Sequence, residues 1–288
     1  MNSPEFACNL DEACARAAAD VRRRALPEPQ VLYWLGTGAG MLPAQLVHPM
    51  KLPLGKLGGV PASWSDALLC AGELGGTRVW LIEDAHDTPD DGASPTWARG
   101  FPCWLAARCG AAVCVHVSAG VSLPNADFAP DPGTFVLAAD HVNISGQTPL
   151  VGLSRSKLGP MFPDTSWLHY APLRERALSE AHALGLRARA GVVACVLGPA
   201  LETNAERTFW ARAGASVAVQ ELVHPLLASA HAGLAALSIV AVTDRGEGLN
   251  DLRGVVAQIE AMAPGLEDLL VALAPAAGEA AEALGIDE

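Results

Sequence analysis

Two hydrophobic periods alternate along the chain. Asp11 to Arg24 has the spacing of an amphipathic helix, closed by Pro27 and Pro29. Val31 to Leu35 is a short apolar run of strand length, and it passes at once into Gly36-Thr37-Gly38-Ala39-Gly40. Strand, glycine-rich turn and a following helix together predict a cradle for an anion. Leu68–Cys70 and Arg78–Ile82 read as paired strands around the turn Glu73-Leu74-Gly75-Gly76, and Asp84–Ser94 as an acidic loop. Trp97–Cys109 predicts a helix, Ala112–Val117 a buried strand ending at Ser118-Ala119-Gly120, and Thr134–Ala138 a strand ending at Asp140-His141-Val142-Asn143.

The alternation continues to the C-terminus. Helices are expected at Pro172–Leu186, Asn204–Ala213 and Pro225–Ala232, and strands at Ala188–Leu197, Ser216–Val219 and Ala235–Val242. Leu252–Leu273 and Ala276–Leu284 predict two closing helices. Strands interleaved with helices imply a mixed, mostly parallel sheet flanked by helices on both faces. With no repeat and no low-complexity linker, residues 1–288 read as one α/β domain. Ligands of such sheets gather at the carboxyl ends of strands. Five of those ends are polar or glycine-rich: 36–40, 84–86, 118–120, 198–202 and 243–244.

Composition narrows the partners. Apolar residues make up 51% of the chain, enough for a large core, while a formal net charge of −12 argues against a nucleic-acid partner. Seven cysteines, an odd number with no CxxC pair, argue against a disulfide framework and a zinc site and suggest reduced thiols in a cytoplasm. The longest apolar stretch, Leu226–Val242, is interrupted by Ser229, His231, Gly233 and Ser238, so no membrane span is expected, and the first residues lack the apolar region of a signal peptide. The 36–40 turn lacks full GxGxxG spacing, which disfavours a dinucleotide site.

The strand-end segments carry a resemblance. Leu35-Gly36-Thr37-Gly38-Ala39-Gly40, the run Asp140-His141-Val142-Asn143 to Thr148-Pro149-Leu150, Phe162-Pro163-Asp164, Gly198-Pro199-Ala200-Leu201-Glu202-Thr203-Asn204-Ala205-Glu206, and Ile239-Val240-Ala241-Val242-Thr243-Asp244 stand in the order and spacing of the trimeric purine nucleoside phosphorylases. The chain resembles that family over nearly its whole length. The resemblance implies a nucleoside phosphorylase fold, a homotrimer, and phosphorolysis of purine nucleosides in purine salvage. Inorganic phosphate is then the co-substrate, with no cofactor and no metal.

It also implies roles residue by residue. Thr37, His86 and Ser118 match the phosphate contacts, with His86 also near the ribose. Ala119 and Gly120 match the strand end that meets the base. Glu202 matches the glutamate that accepts from a 6-oxopurine edge, a task suited to an acceptor-only carboxylate. Asp244 stands where 6-oxopurine enzymes carry asparagine and adenosine-type relatives carry aspartate. Phe162 matches an aromatic that reaches into a neighbouring subunit's sugar pocket. His86, Glu202 and Asp244 form the expected catalytic set.

The phosphate end departs from the family. Asp84, preceded by Glu83, replaces its arginine, Asp87 and Thr88 stand where its tyrosine is expected, and Gln220-Glu221-Leu222 replaces its Gly-Met-Ser. Leu222 has no hydroxyl to offer phosphate, whereas Glu221 resembles the glutamate that holds ribose in hydrolytic nucleosidases. Arg99, Arg155 and Lys157 are candidate substitutes for the lost positive charge. Two further functions are therefore carried beside phosphorolysis: hydrolysis by a water activated at Glu83, Asp84 or His86, and non-catalytic binding of a purine or nucleoside.

Overall fold

The computed structural model describes residues 10–83, 94–125, 127–220, 222–246 and 252–285. Its strands are β1 (Val31–Leu35), β2 (Val47–Pro53), β3 (Leu68–Leu74), β4 (Thr77–Glu83), β5 (Val113–Ser122), β6 (Phe135–Asn143), β7 (Ala188–Val196), β8 (Val217–Gln220) and β9 (Ala235–Asp244). Its helices are α1 (Leu10–Arg23), α2 (Phe101–Arg108), α3 (Ala171–Ala183), α4 (Asn204–Arg212), α5 (Val223–Ala232) and α6 (Leu252–Gly285). The strands form one sheet in the order β2-β3-β4-β1-β5-β8-β7-β6-β9, and β5 also pairs with β9. That extra pairing closes β5-β8-β7-β6-β9 into a ring, and β1, β4, β3 and β2 extend from it as a wing.

The sheet is mixed, as expected. β1 runs parallel to β4 and β5, β5 parallel to β9, and β7 parallel to β6 and β8. The pairs β2–β3, β3–β4, β5–β8 and β6–β9 are antiparallel. α1, α2 and α5 pack on one face through Leu10, Val21, Trp104 and Ala228 against Leu32, Trp34 and Cys114. α3 and α6 cover the other through Leu173, Leu266, Leu269 and Leu273 against Tyr33, Val115 and Ile239. Each such leucine or valine, fully buried, contributes about 1.5–3 kcal/mol. Buried Trp80 and Trp64 keep their indole N–H groups satisfied, donating to the carbonyls of Pro27 at 2.8 Å and Ala98 at 2.7 Å.

Four expectations need correcting. The glycine-rich turn after β1 is followed by a short 3-10 turn, Leu42–Gln45, and not by an α-helix; Pro43 lies in its first turn. β2, absent from the sequence reading, follows directly, a mostly exposed strand with prolines at 49 and 53. Ser118-Ala119-Gly120 and Asp140–Asn143 lie within β5 and β6 instead of beyond them. The two closing helices are one: α6 runs unbroken through Pro264 and Pro275. A proline removes one helical hydrogen bond. Around Pro275 the Tyr33 hydroxyl donates to the Leu270 carbonyl at 3.4 Å, and the Thr77 hydroxyl to that of Ala274 at 2.8 Å. The apolar face of the helix meanwhile stays on the core.

Among the described residues six cysteines are free and buried. Burial pushes the thiols of Cys109 and Cys195 up to about 12, so they are neutral packing groups near pH 7. No helix among the described residues is long and apolar enough to cross a membrane.

Candidate active site

The strand ends converge where β1, β5 and β9 lie side by side. The Gly36 amide donates to the Val117 carbonyl at 2.9 Å, carrying the β1–β5 ladder one step past the strand. A Cβ at position 36 would lie 2.4 Å from that carbonyl oxygen, so only glycine permits the approach. It brings the exposed Thr37 beside Ser118, whose hydroxyl is buried and has no hydrogen-bond partner. Gly38, at φ +102°, turns the chain, and the Met41 amide then donates to Glu267 of α6 at 2.8 Å. With no α-helix following, the turn offers an anion its amides and hydroxyl without a macrodipole.

On the other side of β5, Ser118, Ala119 and Gly120 stand opposite Val240, Ala241 and Val242, and after a one-residue bulge Val121 stands opposite Asp244. The Thr243 hydroxyl donates to the Gly120 carbonyl at 3.2 Å. Gly120 sits at a three-strand junction, where a Cβ would meet Val240 at 2.6 Å and Val217 at 2.8 Å. Asp244 is half-buried; one carboxylate oxygen accepts the Gly246 amide, the other the Thr243 hydroxyl at 3.4 Å. Thr37, Ser118, Gly120 and Asp244 thus follow one another along three adjacent strand ends.

Glu202 comes from the loop between β7 and α4. That loop starts with a cis Gly198–Pro199 peptide, and the Gln220 side chain donates to the Ala200 carbonyl at 3.3 Å. α4 is capped by its neighbours: the Thr203 hydroxyl accepts the Glu206 amide at 3.2 Å, and Glu206 accepts the Thr203 amide at 2.8 Å. This reciprocal box satisfies two amides. Glu206 therefore takes the helix-start role and leaves Glu202 out of the cap, half-buried.

Two positioning residues carried no motif of their own. Gln220, within the departure from the family pattern, anchors the loop that bears Glu202. Arg207, only 5% exposed, donates to the carbonyls of Ser122 at the end of β5 and Arg245 just past β9. It ties α4 to the segment that holds Asp244 and lines a cavity of about 370 Å³ with Asn204, Asp131 and Arg245. A buried arginine in a polar helix was the available signal, since such a residue needs partners inside.

The phosphate end is different. His86, Glu221 and Asp84, with Asp87 and Thr88, lie outside the described residues. Glu83 ends β4 opposite Leu35 and is exposed, so a carboxylate adjoins the glycine-rich turn. Leu222 begins α5 wholly buried, its side chain in the core. Of the three candidate substitute cations, Arg155 and Lys157 are exposed, and the Lys157 amide is held by Asp11 at 2.8 Å. Arg99 is half-buried and lines a second cavity, of about 290 Å³, with Ser63, Thr96, Gln147, Thr148 and His224. Its guanidinium lies 3.3 Å from both Gln147 Oε1 and His224 Nε2. Phe162 is 83% exposed, and Met161 and Trp167, close to it in sequence, are exposed as well.

A sequence model of the phosphorylase superfamily matches residues 60–274, well over half of the chain, and the chain belongs to that superfamily. It is 28% identical over 242 residues to purine nucleoside phosphorylase 1 of Geobacillus stearothermophilus, covering 83% of this chain and 86% of that one. To purine nucleoside phosphorylase 1 of Bacillus subtilis it is 27% identical over 245 residues, covering 84% and 89%. The fold matches that of Schistosoma mansoni purine nucleoside phosphorylase in complex with adenosine, with a TM-score of 0.80 at 21% identity over 91% of this chain and 96% of that one.

Proposed function

We propose that the protein is a purine nucleoside phosphorylase: phosphate attacks the anomeric carbon, the glycosidic bond breaks toward the purine, and free base and ribose 1-phosphate result. The observation that carries this proposal is the row of Thr37, Ser118, Gly120 and Asp244 along adjacent strand ends, beside which Glu202 stands in a loop braced by Gln220 ahead of a capped helix that leaves its carboxylate unused. The Thr37 and Ser118 hydroxyls suit the anion. Glu202 and Asp244 suit a purine edge, where charge develops as the bond breaks. The relatives' names support the same reaction. His86 and Glu221 belong to the site on resemblance alone.

A panel of inosine, guanosine and adenosine, with and without phosphate, tests the reaction. Phosphate-dependent release of base is expected; background turnover of all three at saturating phosphate would falsify the proposal. Buried Leu222 and exposed Glu83 favour one other reaction, hydrolysis, because both lower the affinity of the turn for a phosphate dianion. Base release that is indifferent to added phosphate would select it.

The assembly we infer is a homotrimer, working in the cytoplasm on small molecules, with no cofactor and no metal in its chemistry. The exposure of three large apolar side chains within seven residues, Met161, Phe162 and Trp167, supports a partner subunit over this segment.

A further inference from the structure

The sequence shows no metal-ligand spacing, yet the fold brings Asp140, His141 and His169 together. One ligand atom from each lies within 4.8 Å of the others. His141 Nδ1 and His169 Nε2 face each other at 2.9 Å, and their rings are 5.2 Å apart. Successive residues of a regular strand point to opposite faces. The Asp140 carboxylate turns back on its own strand, where it accepts the His141 amide at 2.8 Å, and this brings it to the His141 side. His169 arrives from the other direction, in the segment before α3, and is fixed by an isolated bridge to Ala236 at the start of β9. It is 8% exposed, and its Nδ1 has no hydrogen-bond partner.

We propose that Asp140, His141 and His169 form a binding site for a first-row divalent cation, Zn²⁺ foremost, that staples the two ends of the loop carrying Phe162. Two imidazoles and a carboxylate are a borderline donor set suited to zinc. Donors about 2.0–2.2 Å from a tetrahedral centre stand roughly 3.3 Å apart. The imidazole pair therefore has only to open by a few tenths of an ångström, with the carboxylate rotating inward. Binding needs no net loss of a proton from the pair: the hydrogen between the rings moves to the outer nitrogen of whichever histidine donates it.

The site is separate from the purine site. His169 is bridged to Ala236, whereas Asp244 closes the same strand eight residues on, about 26 Å away at roughly 3.3 Å per residue. Its consequence is for the loop. Residues 143 and 169 mark the ends of a long segment that carries Phe162 and Trp167 on the surface, and a cation joining them would shorten the range of positions that segment samples.

The test is calorimetric titration of ZnCl2 into the full-length protein, stripped with chelator and desalted, beside thermal unfolding. One equivalent is expected to bind per chain and to raise Tm. H169A and H141A should each weaken binding by more than about tenfold, while H182A, on exposed α3 surface, should leave it unchanged. D140N alters an exposed residue and guards against a misfolded histidine variant; it too should weaken binding. Co²⁺ in the same site should give the visible absorption of a four-coordinate nitrogen–oxygen centre, and lose it in the variants. Absence of saturable Zn²⁺ binding, or binding that survives all three ligand substitutions, overturns the proposal.

Discussion

Gly36 and Val117 touch through their backbones: the amide of one donates to the carbonyl of the other, with no room for a side chain between them. This contact sets the distance between the Thr37 hydroxyl and the Ser118 hydroxyl. Gly36→Ala forces the two strand ends apart and should cost about 1–3 kcal/mol, the range of overpacking in a closed site. Denaturant unfolding measures the cost. The same variant should raise KM for phosphate more than KM for the nucleoside, and equal effects on the two would detach the turn from the anion.

Thr203 and Glu202 are neighbours with separable duties. Thr203→Ala removes the cap of α4 and should cost about 1 kcal/mol of stability, with little change in nucleoside KM. Glu202→Ala should do the reverse, leaving Tm nearly unchanged and lowering kcat/KM on 6-oxopurine nucleosides by at least about tenfold, or roughly 1.4 kcal/mol. Parallel melting curves and kinetics separate them; a Glu202→Ala protein that melts early but turns over normally would reassign the carboxylate to structure.

Asp244 accepts hydrogen bonds from its own loop through both oxygens, and an ionised carboxylate has no proton to give to a purine nitrogen. Asp244→Asn adds a donor. The ratio of kcat/KM for inosine to that for adenosine should rise by about tenfold. A ratio that stays put places the 6-position of the base elsewhere.

His116 is buried beside Trp34, and burial pushes its pKa down from 6.5 to about 3. The folded chain therefore keeps it neutral where the unfolded chain takes up a proton. The stability this contributes is present above pH 6.5 and is lost as pH falls from there toward 3, at about 1.4 kcal/mol per pH unit for each such histidine. Stability measured between pH 7 and 5 should fall with acid, and His116→Phe should make that slope shallower. A slope unchanged by the substitution would assign the acid sensitivity to other groups.

The sequence was most legible where pattern and burial coincide. β1, β7, β9 and α4 lie within a residue or two of their expected limits, because apolar runs of strand length and a threonine–glutamate cap are unambiguous locally. β2 escaped because its side chains are mostly exposed and two are proline, so it has neither an alternating face nor a strand composition; its pairing with β3 and the packing of Leu52 on the core hold it. The unbroken α6 escaped for the opposite reason. Pro275 reads as a stop, yet the helix continues with its apolar face on the core on both sides of it, Leu270 and Leu273 before and Ala277 and Ala281 after. At the candidate site, Glu202 and Asp244 are proposed from their motifs. Gln220 and Arg207 act through tertiary contacts alone, and His169 reaches Asp140 and His141 from a distant segment fixed by a bridge to Ala236 that no spacing rule encodes.

α6 also constrains the order of events in making the protein. Much of one face of the central strands is covered by residues 262–281, beside α3, and Gln30 is joined to Glu282 by a 2.9 Å hydrogen bond. A growing chain on the ribosome can therefore complete the α1–α2–α5 side of the sheet while the other side has only α3 to cover it. Until α6 emerges, Tyr33, Leu81 and Val115 lack the cover of residues 262–281, and that uncovered apolar surface is open to aggregation.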